Sequence, residues 1–122
     1  MAQVTVRRIV ANVAAKSVPE VRDFYVDLFG LDVVMDHGWI VTLASGENAV
    51  TQISVASEGG SGTPVPDISI EVDDVDKLYA KAKARGCEIV YPITDEPWGV
   101  RRFYVRDPTG KLLNVLAHRH QD

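Results

Sequence analysis

Apolar residues near the start of the chain follow two different spacings, first that of a strand and then that of a helix. Residues 4–13 are rich in valine and isoleucine, which predicts an extended, β-branched strand. Ser17 and Glu20 then form a capping box, because the serine hydroxyl can accept from the free amides of the first turn and the glutamate can reach back. The predicted helix ends at Gly30. Its apolar stripe consists of Val21, Phe24, Tyr25 and Leu28.

The second half of the chain repeats this plan. The alternation of residues 68–72 predicts a half-buried strand, and the helix that follows it ends at Gly86. Asp73 takes the place of the first helix cap, and Asp76 takes the place of its capping partner. The cap and the stop are both displaced by 56 positions between the two halves.

Three short strands are predicted after each helix. They span residues 31–35, 39–44 and 49–55 in the first half, and residues 87–91, 100–105 and 112–117 in the second half. The chain therefore consists of module one (4–56), a Gly/Ser-rich linker that ends in prolines (57–66) and module two (67–118). One module is too small to bury its own sheet, so we expect the two modules to form a single domain.

Composition narrows the possible functions. The chain has 122 residues, an apolar content of 46% and a formal net charge of −4, as expected for one globular domain. Its basic residues are dispersed, which argues against nucleic acid as a partner. No apolar run approaches the roughly 20 residues that span a bilayer, and the first residues lack a secretory signal, so we expect no membrane partner and a cytoplasmic location. Cys87 is the only cysteine, and we interpret it as a small buried residue.

The stretch from Phe103 to Leu116 is the most informative part of the sequence, because it predicts a strand, a tight turn at Asp107-Pro-Thr-Gly110 and a second strand. This hairpin resembles the C-terminal hairpin of the vicinal-oxygen-chelate superfamily, which includes glyoxalases, extradiol dioxygenases and bleomycin-resistance proteins. Three further motifs in the family's order extend the resemblance over nearly the whole chain. They are Phe24-Tyr25 with Leu28-Phe29-Gly30, Ile70 to Val75, and Trp98-Gly99.

The resemblance implies an α+β fold built from paired βαβββ modules, as in glyoxalase and bleomycin-resistance proteins. In that fold an open, curved, mixed β-sheet has its helices on the convex face and a ligand cleft on the concave face. The resemblance also implies a homodimer, in which each cleft is often shared between subunits. Open sheet edges would favour such a partner as well.

Alternation along the strands predicts which side chains line the cleft. If Ile9, Ala11 and Val13 belong to the core, then Asn12 faces the cleft together with Arg8 and Val10. On the other strands the polar residues expected in the cleft are Gln52, Ser54, Asp67, Ser69, Glu71 and Asn114. Asp67 and Glu71 could form an acid pair that binds a cation or moves a proton, or they could belong to a hydrogen-bonded polar patch.

Two tryptophans and two arginines complete the candidate ligand-binding residues. Trp98 lies in a loop that borders the cleft in the resembling proteins, where it could stack on a planar or cationic ligand or pack against another subunit. Trp39 begins a strand and is either a core or interface residue or a second ligand platform. Arg101 and Arg102 are adjacent, so one should face the cleft and hold a ligand anion, while the other forms surface salt bridges.

No metal or other cofactor is expected. In metal-dependent members of the superfamily the matching ligand positions are held by residues such as His, Glu or Gln. In this chain the family spacing places Val10, Gln52, Asp67 and Asn114 at those positions. Valine cannot bind a metal, and asparagine is a neutral, weak donor, so too few strong ligands remain. His118 and His120 are assigned to a frayed tail.

These features lead to three functional hypotheses. The first is a metal-independent small-molecule binding protein of the bleomycin-resistance type, which sequesters an antibiotic or a similar aromatic or cationic ligand. The second is a glyoxalase-like lyase, isomerase or dioxygenase, either metal-dependent or using Glu71 or Asp67 as a base. The third is a structural or regulatory partner module without a ligand of its own. The sequence leaves open which of these is correct, so catalytic activity is undecided.

Overall fold

The computed structural model describes residues 4–46 and 52–119. Within them it contains eight strands and two helices. In chain order they are β1 (Val6–Ala14), α1 (Val18–Phe29), β2 (Asp32–Asp36), β3 (Ile40–Ala44), β4 (Gln52–Ala56), β5 (Ile68–Val72), α2 (Val75–Ala84), β6 (Ile89–Asp95), β7 (Val100–Arg106) and β8 (Leu112–His118). Each half is strand, helix and three strands, which confirms the predicted α+β class with paired βαβββ modules. The predicted strand residues 49–51 lie outside the described part of the chain.

The chain divides into two compact units. The first-module unit is Val10–Val65, and the second-module unit is Pro66–Asp122 together with Met1–Ile9. In the first-module unit the strands lie in the order β2-β3-β4-β1. β1 is parallel to β4, and the other neighbours are antiparallel. The core of this unit is formed by Val18, Val41, Leu43 and Val55, on which half-buried residues of α1 pack.

The second-module unit has the corresponding order β5-β8-β7-β6, with β5 parallel to β8. Its core contains Val72, Val75, Phe103, Val105 and Val115. Leu78 and Tyr79 attach α2 to this core, and the ring of Tyr79 lies 4.9 Å from that of Phe103. The side of the sheet that carries Phe103 and Val115 is therefore the side that α2 covers.

The cap of α1 and the ends of both helices agree with the sequence prediction. The Glu20 amide donates to the Ser17 hydroxyl at 3.4 Å, and α1 ends at Gly30, whose φ of 67° is left-handed. The chain leaves α2 through Gly86, which has a φ of 76°. A residue with a side chain would be strained at either stop.

The predicted cap of α2 is wrong by one residue. The cap is Asp74, whose carboxylate accepts from the Lys77 amide at 3.0 Å. Asp73 instead accepts from the amide of Thr5 at 2.9 Å, far away in the sequence. Since either aspartate can cap a helix, this long-range bond decides which of them does so.

Two predictions about the core are also wrong. Ile9 is 59% exposed and Ala11 is exposed, although Val13 packs on the core as predicted. In α1, Val21 and Tyr25 pack on the core, but Phe24 and Leu28 are exposed. β1 has apolar residues at both alternating positions, and α1 has them on two faces, so the spacing alone does not reveal which set is covered.

The predicted linker contains a hydrogen-bonded turn. Gly59 donates to the Thr63 carbonyl at 2.8 Å, and the Thr63 amide donates to the Gly60 carbonyl at 3.0 Å. Ser61 lies between them with a φ of 53°, which is uncommon for a residue with a side chain. Neither helix in the described residues has the length and hydrophobicity needed to cross a membrane.

Candidate functional site

The candidate site is a polar row on the side of the second-module sheet that α2 leaves uncovered. Tyr104 of β7 pairs with Asn114 of β8, and Asn114 pairs with Ser69 of β5. Because neighbouring strand residues point to opposite sides, these three share the face opposite Phe103 and Val115. The face is therefore built from strand residues that the core of this unit holds in place.

Asn114 lies at the centre of this row with one unmet hydrogen bond. Its Nδ2 donates to the Ser69 hydroxyl at 3.1 Å. Its Oδ1 is buried and has no hydrogen-bond partner among the described residues. A buried acceptor without a partner costs about 1–3 kcal/mol, so an N–H or O–H group that reached this carbonyl would make a favourable hydrogen bond.

Arg102 and Glu96 form a buried ion pair beside the row. Their Nε and Oε2 atoms lie 2.7 Å apart, and the side chains are only 3% and 2% exposed. The Tyr91 hydroxyl donates to the same Glu96 oxygen at 3.0 Å, and Arg102 donates to the Tyr104 hydroxyl at 3.1 Å. A charge that is buried and paired in this way is costly to separate from its partner.

Three aromatic rings enclose this arginine. The guanidinium carbon of Arg102 lies 5.3 Å from the ring centroid of Tyr91, 5.0 Å from that of Trp98 and 4.9 Å from that of Tyr104. These distances fit cation–π contacts. We call Glu96, Arg102 and the three rings the aromatic cage. Arg102 thus holds Trp98 at the edge of the polar face, and its own charge is already satisfied inside the protein.

Arg101 points to the other side, as the alternation predicted. It forms ion pairs with Asp76 at 2.9 Å and with Asp95 at 3.1 Å. Hydrogen bonding to Asp76, and then to Asp95, raises the pKa of Arg101, and the bond from Arg101 lowers the pKa of Asp95. These contacts link the first turn of α2 to the end of β6, so Arg101 is a surface salt-bridging residue in this structure.

Glu71 lies in the next row of the same face. It pairs with Leu116, which in turn pairs with Arg102. Its carboxylate lies 3.1 Å from Arg8 Nε and 3.0 Å from His118 Nδ1. His118 belongs to β8 and not to a frayed tail as predicted, whereas His120 lies outside the described residues. The face therefore contains a carboxylate and an imidazole in direct contact.

Two alternatives were open for Asp67 and Glu71, an acid pair or a hydrogen-bonded polar patch, and the contacts of Asp67 fit the second. Its carboxylate accepts from the Leu112 amide at 2.8 Å, and its own amide donates to the Leu112 carbonyl at 2.8 Å. Both bonds fasten the beginning of β5 to the beginning of β8. The side chain of Asp67 thus serves as a hydrogen-bond acceptor for the backbone of β8.

The remaining predicted residues lie in the first-module unit. Asn12 pairs with Ser54, and Ser54 pairs with Thr42. The hydroxyls of Ser54 and Thr42 lie 2.8 Å apart and are buried. Trp39 is half-buried, its ring stacks on His37 at 6.5 Å, and its carbonyl accepts from the Ser57 amide. Gln52 is half-buried and pairs with Ala44.

The structure brings together several residues that the sequence reasoning missed. Tyr91, Glu96, Tyr104 and His118 join the predicted Glu71, Trp98, Arg102 and Asn114 in the second-module unit. The alternation of β7 places Tyr104 on the same face as Arg102 and could have identified it. Glu96 and Tyr91 gave no comparable signal, because their contacts depend on the path of the β6–β7 connection.

The positions that the family resemblance assigns to metal ligands do not fit a divalent metal. Val10 has no donor atom, and the carboxylate of Asp67 is bound to the backbone. Across residues 4–46 and 52–119 no group of three or more His, Cys, Asp or Glu side chains could hold an ion. We therefore assign no metal-dependent step to these residues.

Comparison with protein-family models supports the resemblance seen in the sequence. The model described as the Glyoxalase/Bleomycin resistance protein/Dioxygenase superfamily matches residues 6–115. The chain therefore belongs to this superfamily. The comparison with curated proteins gave no match.

Solved structures with the same fold carry several different functional names. A Legionella pneumophila protein described as NAD-dependent benzaldehyde dehydrogenase aligns with a TM-score of 0.74 at 13% identity, covering 91% of this chain and 99% of that one. A superfamily member from Vibrio splendidus 12B01 aligns at 0.64 and 18%, covering 93% and 99%. Methylmalonyl-CoA epimerase from Mycobacterium tuberculosis aligns at 0.64 and 16%, covering 94% and 88%. At such identities the matches establish the fold alone.

Proposed function

We propose that this superfamily member binds a planar small molecule without a metal, and that it acts by sequestration, for example of an antibiotic or a similar aromatic or cationic compound. The observation that carries the proposal is the buried Asn114 Oδ1 without a partner. A ligand N–H or O–H group would supply the missing bond, and a neighbouring side chain would have to move to admit it. That bond is worth about 1–3 kcal/mol, which corresponds to roughly a 5- to 150-fold gain in affinity.

The aromatic cage supports a planar ligand. Trp98 is half-buried, so part of its indole remains accessible, and Arg102 fixes the ring from behind. An ordered aromatic surface loses little conformational entropy when a ligand stacks on it. Ligand recognition would therefore combine stacking on Trp98 with a hydrogen bond to Asn114.

Calorimetry and tryptophan fluorescence with a panel of aromatic and glycopeptide antibiotics test this function. The wild-type chain should bind at least one member of the panel, and chelator-treated protein should bind it equally well. Asn114→Leu, which removes the acceptor, should weaken binding by about 5- to 150-fold. Absence of binding across a broad panel would count against sequestration, and loss of binding after chelation would exclude the metal-independent form.

A second candidate function is proton transfer by Glu71. Its carboxylate is half-buried and lies 3.0 Å from the imidazole of His118, so a proton taken up by Glu71 has an acceptor within hydrogen-bond reach. Methylmalonyl-CoA epimerase is among the proteins with this fold, and epimerisation next to a carbonyl requires such a proton transfer.

Solvent-deuterium exchange into 2-methyl acyl thioesters tests this alternative. Exchange by the wild-type chain that disappears in Glu71→Gln would support catalysis, whereas a lack of exchange would favour binding alone. Binding measured on Glu71→Gln separates the two functions, because sequestration through Asn114 does not require the carboxylate of Glu71.

The remaining predictions about the cell and the partners are open to direct tests. We propose a cytoplasmic protein that takes a small molecule and no nucleic acid or membrane as its partner. Cell fractionation and nucleic-acid and liposome binding assays check these points. We also propose that the chain forms a homodimer, which light scattering of the full chain checks.

A further inference from the structure

We propose that the candidate site selects neutral, electron-rich planar ligands that carry an O–H or N–H donor, and that it discriminates against cationic rings. This inference rests on the proposed function and narrows it, because sequestration by itself is compatible with both aromatic and cationic ligands. The residue that sets the preference is Arg102, which acts through the ring of Trp98.

One side of the Trp98 indole already carries a cation. The guanidinium carbon of Arg102 lies over the ring, 5.0 Å from its centroid. A cation over an indole draws the negative charge of the π face towards itself, so the other side of the ring attracts a second cation less strongly. For the same reason the indole behaves as an electron-poor ring, and an electron-rich ring stacks on it more favourably.

The structure holds Arg102 in this position, so its influence on the ring does not depend on a ligand. Its side chain is 3% exposed, and its Nε lies 2.7 Å from Glu96 Oε2. It also donates to the Tyr104 hydroxyl at 3.1 Å. Glu96 balances the charge of the pair, but the group that lies over the indole is the guanidinium. A ligand stacked on Trp98 therefore meets a ring with a fixed positive charge behind it.

The two carboxylates predicted to attract a cation already serve other donors. Glu71 lies 3.1 Å from Arg8 Nε and 3.0 Å from His118 Nδ1. Asp67 accepts from the Leu112 amide at 2.8 Å. A cationic ligand would have to displace one of these donors to gain a counter-charge, whereas a neutral ligand needs none. The surroundings of the site thus agree with the preference that Arg102 imposes.

Asn114 determines the polar group that the ligand must carry. Its Oδ1 is a buried acceptor without a partner among the described residues, and its Nδ2 donates to the Ser69 hydroxyl. An O–H or N–H group satisfies this acceptor, whereas a ring without a donor leaves it unmatched. Planar phenols, and planar rings with an indole-like or amide N–H, are the chemical class that meets both conditions.

Calorimetry with small planar probes tests the preference. The probes are 2-naphthol, 2-methoxynaphthalene, which lacks the donor, and the N-methyl-6-hydroxyquinolinium cation, which keeps the ring size and the hydroxyl but adds a positive charge. At a pH where both hydroxyls stay protonated, the wild-type chain should bind 2-naphthol about tenfold or more tightly than the quinolinium. It should bind 2-methoxynaphthalene roughly 5- to 150-fold more weakly than 2-naphthol.

Variants show whether Arg102 causes the preference, because a cation also loses more hydration than a neutral ring in any site. Arg102→Met combined with Glu96→Gln removes the buried cation together with its counter-charge, and the ratio of the two affinities should fall about fivefold or more. Arg101→Met is the matched control. It removes the same charge from the neighbouring residue, which points to the other side of the sheet, and should leave the ratio within about twofold.

A second variant covers the case in which the double variant does not fold, which circular dichroism reveals. Trp98→Leu removes the ring through which Arg102 acts, so 2-naphthol should bind more weakly and its advantage over the quinolinium should shrink by a similar factor. A structural role of Arg102 alone would lower both affinities without changing their ratio.

The outcomes separate this inference from the proposed function. Equal or tighter binding of the quinolinium by the wild-type chain overturns the inference, as does a ratio that stays unchanged in the folded double variant or in Trp98→Leu. Binding of none of the probes also overturns it. Sequestration stands in each of these cases if a panel antibiotic binds and Asn114→Leu weakens that binding. If Asn114→Leu binds 2-naphthol as tightly as the wild type, the required donor is refuted.

Discussion

The two modules share one architecture but differ in what they place on the sheet face away from the helix. In the first-module unit the row contains Ser54 and Thr42, whose buried hydroxyls satisfy each other at 2.8 Å. In the second-module unit the corresponding row contains Asn114 with an unmatched carbonyl, beside a buried ion pair and three aromatic rings. The first row satisfies its own hydroxyls, whereas the second leaves a buried acceptor unmatched, which is the feature on which the proposed ligand binding depends.

The largest effect should come from the aromatic cage, which has no counterpart in the first-module row. Glu96→Gln should lower the free energy of unfolding by about 3–5 kcal/mol, because Arg102 would remain buried without its counter-charge. Urea denaturation measures this loss. Asp95→Asn is the matched control on the same strand end. It removes only solvent-exposed ion pairs, with Arg101 and with Arg119, so a much smaller loss is expected. Equal losses in the two variants would contradict the importance of burial.

A smaller loss of stability should follow when the hydroxyl pair of Thr42 and Ser54 in the first-module unit is broken. Ser54→Ala should cost about 1–3 kcal/mol in the free energy of unfolding, because the Thr42 hydroxyl loses its buried partner. The double variant with Thr42→Val should recover part of this loss, since both polar groups are then absent. If the double variant were less stable than predicted by adding the single changes, the hydroxyl pair would not be the relevant contact.

Asn114→Leu, unlike the two changes above, should weaken ligand binding without lowering stability. It removes an unmatched buried carbonyl, so the free energy of unfolding should remain within about 1 kcal/mol of the wild-type value or rise, while ligand binding falls. Denaturation and calorimetry on the same preparation check both parts. A large loss of stability would mean that Asn114 is a structural residue like Ser54, and the contrast between the modules would disappear.

The smallest expected effect concerns acid stability at the turn between β7 and β8. The carboxylate of Asp107 accepts from the Thr109 hydroxyl at 2.7 Å and from the amides of Thr109 and Lys111, and these bonds lower its pKa from the ordinary value near 3.8. Because the folded pKa is the lower one, the stabilisation is present above pH 3.8 and is lost as the pH falls through the folded value. Asp107→Asn should therefore flatten the acid limb of an unfolding titration below that pH. An unchanged acid limb would show that the hydrogen bonds of Asp107 do not contribute to the pH dependence of stability.

Local signals explain which parts of the fold could be predicted from the sequence. Ser17, Gly30 and Gly86 fulfil their roles through bonds to the nearest turn, so their identity and spacing were sufficient. Asp73 was wrongly predicted as the cap of α2. Its carboxylate accepts instead from the amide of Thr5, which is distant in sequence. The exposure of Ile9 was missed because the neighbouring Val10 is equally apolar, and alternation alone cannot choose between them.

The candidate site was predictable only where strand alternation determines it. Alternation placed Asn114 and Glu71 on one face and turned Arg101 and Arg102 to opposite sides, as the structure has them, whereas Trp98 was chosen from the family resemblance. The buried ion pair of Arg102 was not predicted. Glu96 lies in the β6–β7 connection, and the sequence does not show that its carboxylate contacts Arg102. Asp67 looked like a ligand-binding acid, but its position beside the Leu112 amide makes it a backbone acceptor.

The aromatic cage also has a consequence for how the chain reaches its native pairing. β6 and β7 form a hairpin with two irregularities in its pairing, and two adjacent arginines follow Val100 at the start of β7. If this hairpin slipped by one residue, Arg101 would turn inward and Arg102 would turn outward, away from Glu96. Only the observed alignment brings Arg102 to Glu96 and at the same time leaves Arg101 with Asp76 and Asp95, so the order of the two arginines ties the register of the hairpin to three ion pairs.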